Sequence, residues 1–193
     1  MTPIFRLLAL AAPLAMASPA FAHLAPAAHG SFAAGFTHPI FGLDHILAMV
    51  AVGLWAVVLG SRALWALPAA FVGAMVVGFG LSLAGLPLPL VEPMILASVL
   101  ALGGLTALAR PVALPVAAAI VGILALFHGH AHGSEMAGAT ALTYLAGFAS
   151  ATALLHGLGV AVGVLAARPL GLIAARVAGG LIALGGAALV MGG

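Results

Sequence analysis

The chain has 193 residues, of which 65% are hydrophobic and only 4% charged, and its mean hydropathy is +1.36. A soluble domain carries about 25% charged residues, so the composition excludes an ordinary water-soluble fold and points to a polytopic membrane protein. Five arginines scattered over the chain, with no lysine and a formal charge of +2, make no basic patch for nucleic acid. The absence of cysteine excludes disulfides, thiolate metal sites and redox cysteines.

Residues 1–22 read as a secretory signal peptide, with Arg6 near the start, an apolar run Leu7–Met16 and Ala20-Phe21-Ala22 as a small-x-small cleavage site. Pro13 and Pro19 argue against the alternative, an uncleaved first span. Cleavage leaves residues 23–193 as a single transmembrane domain that begins at His23. Residues 23–37 form a short lead outside the membrane, where His23 and His29 are candidates for an external metal collector.

Six candidate spans follow, at 38–60, 63–84, 91–109, 112–128, 138–166 and 170–191, each near the roughly 20 residues a bilayer requires. The expected fold class is therefore an all-α integral membrane protein with six transmembrane helices. The fifth span is overlong, which places its first turns in the interface or along a cavity. Signal cleavage sets the amino terminus outside, so connections one, three and five are cytoplasmic. Arg62, Arg110 and Arg168 fall in those connections and Arg176 near the same side, in agreement with the positive-inside rule. Asp44, Glu92, Glu135 and most histidines fall near the opposite ends. Both termini are then periplasmic. The sixth span carries Gly171, Ala175, Gly179, Ala183 and Ala187 at every fourth residue, a ladder that permits close helix approach. Packing inside the bundle is preferred for it, with an oligomer interface as the alternative.

Two stretches carry the chemistry. The first opens span one: His38-Pro39-Ile40-Phe41-Gly42-Leu43-Asp44-His45, with Met49 one turn further on. On a helix His38, Gly42, His45 and Met49 share a stripe, and Asp44 lies about 100° from His45. Ionisable groups in a membrane segment are costly and usually bind something. His38 is otherwise a cap, and Asp44 otherwise orients a ligand imidazole through its second nitrogen. Met49 is packing or a soft ligand.

The second stretch is Phe127-His128-Gly129-His130-Ala131-His132-Gly133-Ser134-Glu135, between spans four and five. Alternate histidines share one side of an extended segment, whereas His128 and His132 share a helical face. Imidazole suits nickel, copper, zinc and cobalt, and a carboxylate adds a harder oxygen. His38, Asp44, His45, His128, His130, His132 and Glu135 are thus the candidate metal ligands. His156 stands near mid-span in the fifth helix, either bonded to a neighbour such as Thr152 or part of an ion path. Glu92, before Pro93, is a helix-dipole partner or a pathway residue.

These motifs resemble the signature of the HupE/UreJ family, bacterial membrane proteins of hydrogenase and urease maturation regarded as nickel permeases. The resemblance rests on His38-Pro39-x-x-Gly42-x-Asp44-His45-x-Leu47-Ala48-Met49, on Glu92-Pro93, on His128-Gly129-His130-Ala131-His132-Gly133-x-Glu135, and on Gly147-Phe148-x-x-x-Thr152-x-x-Leu155-His156. It implies Ni²⁺ or Co²⁺ as the transported ion, no permanent cofactor, the inner membrane as location, and nickel-enzyme maturation proteins as partners beside the lipid bilayer. Spacing alone implies only a borderline divalent metal. A scaffold that hands nickel to an enzyme without transport is the competing function. An intramembrane hydrolase is disfavoured, because Ser150 and His156 lie roughly 120° apart on a helix and neither Gly-x-Ser-x-Gly nor His-Glu-x-x-His occurs.

Overall fold

A computed structural model describes residues 26–136 and 139–192, with side chains from Ser31 onward. The expected signal peptide, His23 and the side chain of His29 lie outside these described residues. Seven helices occur within them: α1 Pro26–Phe41, α2 Leu43–Leu59, α3 Ala63–Leu83, α4 Val91–Leu108, α5 Leu114–Ser134, α6 Ala141–Leu170 and α7 Leu172–Gly192. Five are long and apolar enough to cross a bilayer, and six crossings result if the bent pair α1–α2 forms one span.

Two departures from the expected spans matter for function. The lead before span one is helical from Pro26, and the first span is broken at Gly42 with a bend of 80°. Pro39 lacks the N–H that would close the last turn of α1, and Gly42 takes an extended conformation (φ −87°, ψ 113°) before α2 begins. The fourth span does not end at His128. Helix α5 runs on to Ser134, so the histidine stretch is a helical end and not a loop. Polar residues lower the hydropathy there without breaking the helix, whose backbone hydrogen bonds continue to Ser134.

The outer surface is as apolar as the core. Leu154, Leu165, Leu181 and Leu184 are all more than 60% exposed, a surface that suits lipid and not water. The chain is a multi-pass membrane protein. Without a hydrophobic drive between helices in lipid, close backbone approach must hold the bundle together. Glycines supply it. Gly78 faces the Leu126 carbonyl and Gly129 the Met75 carbonyl, seaming α3 to α5. Gly53 and Gly159 interlock α2 with α6, and Gly35 and Gly147 interlock α1 with α6. Gly179 and Ala183 of the small-residue ladder pack on Gly103 and Ala107 of α4, within the chain.

Neighbouring glycines in α4 test this packing. A Cβ on Gly103 would lie 2.6 Å from the Ala183 nitrogen, whereas one on Gly104 would meet nothing within 4 Å. Gly103→Ala should destabilise by about 1–3 kcal/mol through overpacking. Gly104→Ala should be neutral or gain up to about 1 kcal/mol from helix propensity. Thermal melting of the detergent-purified variants checks both, and equal melting temperatures would refute the seam.

Candidate metal centre

The break at Gly42 builds one half of the site. It turns His38, in the last turn of α1, back toward Asp44 and His45 in the first turn of α2. The His38 and His45 ring centroids are 6.2 Å apart. Gly42 is required there for space. A Cβ on it would sit 2.9 Å from His45 Nδ1 and 3.0 Å from Asp44 Oδ1. An acid in the first turn suits the helix dipole, and no side-chain cap competes for Asp44.

Helix α5 supplies the other half, and its 100° advance per residue sorts the motif. His128 and His132 face inward and are fully buried. Gly129 and Gly133, next round the helix, rest on Met75, Phe79 and Ser82 of α3. His130 points away from both histidines, and its Nε2–H donates to the Leu86 carbonyl at 2.9 Å. Three of the four sequence-predicted ligands of this stretch therefore lie on the site side, and His130 instead ties α5 to the α3–α4 connection.

With both imidazoles neutral, the hydrogen bonds set where the protons are. Asp44 Oδ1 accepts from His45 Nδ1 at 2.9 Å. With that ring neutral, His45 Nε2 carries a lone pair, so His132 Nε2–H must donate to it across 2.8 Å. His132 Nδ1 is then a lone pair as well, with no hydrogen-bond partner among the described residues, 3.7 Å from Glu135 Oε2. Two acceptors face one another with no proton between them, which is an arrangement a cation resolves. His38 Nε2 lies 3.2 Å from the same carboxylate oxygen. One ligand atom from each of His38, His132 and Glu135 falls within 4.8 Å of the others. An ion bound at about 2.1 Å to each needs donors about 3–4 Å apart, so only slight contraction is required.

A cavity of about 180 Å³ opens on this group, lined by His38, Gly42, Asp44, His45, Glu92, Ile95, Ala131 and Glu135. It has room for an ion with several waters and falls short of the roughly 300–1,000 Å³ typical of drug-sized ligands. Exposure falls inward, from 44% for the Glu135 side chain through 22% for His38 to 0% for His132. Glu92 lines the rim. Met49, one turn below His45, is buried in the apolar core with no polar contact.

Ser98, Phe71, Phe79 and Tyr144 escaped the motif reading, and Phe148 entered it without a role. Ser98 donates to the Ile95 carbonyl at 2.6 Å and accepts from His128 Nε2 at 2.9 Å. The Phe148 ring lies 3.8 Å from that of His132, centroid to centroid. Phe79 stacks near Tyr144 at 6.3 Å, and Phe71 stands beneath His128. Ser98 left only a weak signal, as one of two small polar residues, with Thr106, on the buried face of an apolar span. The aromatic residues carry no signal that separates them from core packing.

Comparison with known proteins agrees with the four motifs. The family model described as HupE / UreJ protein matches residues 10–189. The protein named Protein HupE from Rhizobium leguminosarum bv. viciae is 50% identical over 182 residues, covering 94% of this chain and 95% of that protein. No solved structure matches.

The proton assignment makes His45 and His132 one unit and leaves His130 outside it. Ni²⁺ affinity of the purified protein should fall at least about tenfold, or 1.4 kcal/mol, in Glu135→Gln and stay within about twofold in His130→Ala. His45→Gln and His132→Gln should be strongly non-additive, whereas His45→Gln and His130→Ala should add. Additivity in the first pair would undo the shared unit.

Proposed function

The chain belongs to the HupE / UreJ family, and on that premise we propose that it carries Ni²⁺, or Co²⁺, across the bacterial inner membrane for hydrogenase or urease maturation. The observation that supports this most is the His132 Nδ1 lone pair opposite the Glu135 carboxylate, with His38 beside both. Imidazole nitrogen with one carboxylate suits nickel and cobalt. Coordination left open to a wet cavity binds strongly enough to admit an ion and weakly enough to release it. A closed tetrahedral cage would retain it.

In this reading Glu135 and His38 strip water from the arriving ion, and His132 takes it into the dry interior. Asp44 and His45 act through His132, by holding the tautomer that leaves Nδ1 free. Glu92 adds negative charge at the rim and so raises the local cation concentration. The mouth faces the periplasm and the arginine-bearing connections face the cytoplasm. His23 precedes α1 and His29 stands in its first turn, and both would gather metal before it enters. No P-loop occurs in the sequence, which favours secondary or facilitated transport.

The test is uptake of Ni²⁺, Co²⁺ and Zn²⁺ by sealed vesicles containing the purified chain. Uptake should occur for Ni²⁺ or Co²⁺ and be reduced at least about tenfold, or 1.4 kcal/mol in barrier terms, by Asp44→Asn and by His45→Gln while protein levels hold. Binding without movement would replace the transporter by the metal-handing scaffold.

A further inference from the structure

Three buried imidazole nitrogens below the mouth have no partner among the described residues: His128 Nδ1 and both nitrogens of His156. For His128 the cause is visible. The Ser98 hydroxyl spends its hydrogen on the Ile95 carbonyl, so its oxygen accepts from His128 Nε2–H, and Nδ1 is left as a lone pair. His156 is 1% exposed. Its neutral ring must carry one N–H and one lone pair, and neither is used. Thr152, one turn earlier on the same helix, is the natural partner, yet its hydroxyl donates to Met75 Sδ at 3.7 Å. A leucine at this position would pack without an orphaned donor. Unpaired polar groups in a membrane interior mark ion paths more often than packing.

The rings also form a chain of near neighbours. His38 and His132 are 4.5 Å apart by centroid, His132 and His45 4.7 Å, and His45 and His128 5.0 Å. Phe71 comes next, 5.5 Å from His128 and 4.9 Å from His156, and it is fully buried. An aromatic ring thus stands between His128 and His156.

We propose that His156 is a second, inner cation station, fed from the mouth by His128 and partitioned from it by the Phe71 ring. The ligand is the same borderline divalent cation, and this assignment rests on the transport reading. Ser98 is a positioning residue, which sets the tautomer of His128 so that a lone pair is available to the ion. The handover needs no net chemistry, since each imidazole nitrogen exchanges one coordinate bond for another.

The experiment uses the full chain with Ni²⁺ alone as probe. Three quantities are measured: binding in detergent, melting temperature, and uptake into sealed vesicles. His156→Leu should melt at or above the wild-type temperature, because an unpaired polar group is gone. It should bind Ni²⁺ at the mouth with affinity within twofold of wild type, and take up Ni²⁺ at least tenfold more slowly. His156→Met, which restores a soft donor in a flexible side chain, should retain more uptake than leucine. Ser98→Ala provides a check independent of any fault in folding at position 156, with mouth affinity unchanged and uptake lowered at least threefold. Full uptake by His156→Leu, or equal losses in the leucine and methionine variants, would overturn the inner station while leaving transport itself intact. Wild-type protein that binds Ni²⁺ and moves none overturns the transport reading and the station with it.

Discussion

Two imidazole nitrogens held 2.8 Å apart have room for one proton between them, and that restriction governs the mouth of this protein. Because Asp44 claims the hydrogen on His45 Nδ1, the shared proton belongs to His132, and the other His132 nitrogen is left bare opposite Glu135. Reversing the tautomer would break the charged hydrogen bond to Asp44, of a kind worth about 1.5–3 kcal/mol. The carboxylate on α2 therefore determines the chemistry of a nitrogen on α5 that it does not touch. On the proposed reading Asp44 is the orienting group and Glu135 the one that meets the ion.

Such a network survives only if the helices that carry it approach closely and keep water out. In lipid that approach cannot come from burying apolar surface, since the outside is as apolar as the inside. It comes from missing side chains. The same motif that contributes His128 and His132 contributes Gly129 and Gly133, which let α5 rest on the backbone of α3. The histidines and glycines of that stretch are one device seen from two sides. Gly42 does the equivalent for α2, where the emptiness of its side chain is filled by the Asp44–His45 pair.

Much of this was legible in the sequence. Spans two, three and six were placed to within two residues of α3, α4 and α7, because long uniform apolar runs with arginine or glycine at their ends have few other readings. The pairing of His45 with the second histidine stretch was legible only as a convergence of two polar clusters. What was not legible has a common cause: polar residues in helices look like loops to a hydropathy count. That shortened α5, hid α1 and made the break at Gly42 invisible, although Pro39 marked it. The separate fate of His130 followed from the helix, since one turn of 3.6 residues cannot point three alternate residues the same way. Ser98 and Phe71 needed coordinates, because their roles exist only through neighbours 30 or more residues distant in sequence.

The glycine seams have a mechanical consequence. They join the helices in sets, α3 with α5, α4 with α7, and α1 and α2 with α6. The histidines are divided among these sets. His128 and His132 travel with α3, and His38, His45 and His156 travel with α6, whereas the Ser98 hydroxyl that steadies His128 belongs to the third set. Every imidazole contact from α5 to His38 or His45 thus crosses a boundary between sets, and none lies within one. A slip of one set past another, by a fraction of a helical turn, would rewrite those contacts and leave each seam intact. The places proposed to hold an ion are joints that no glycine seam fastens.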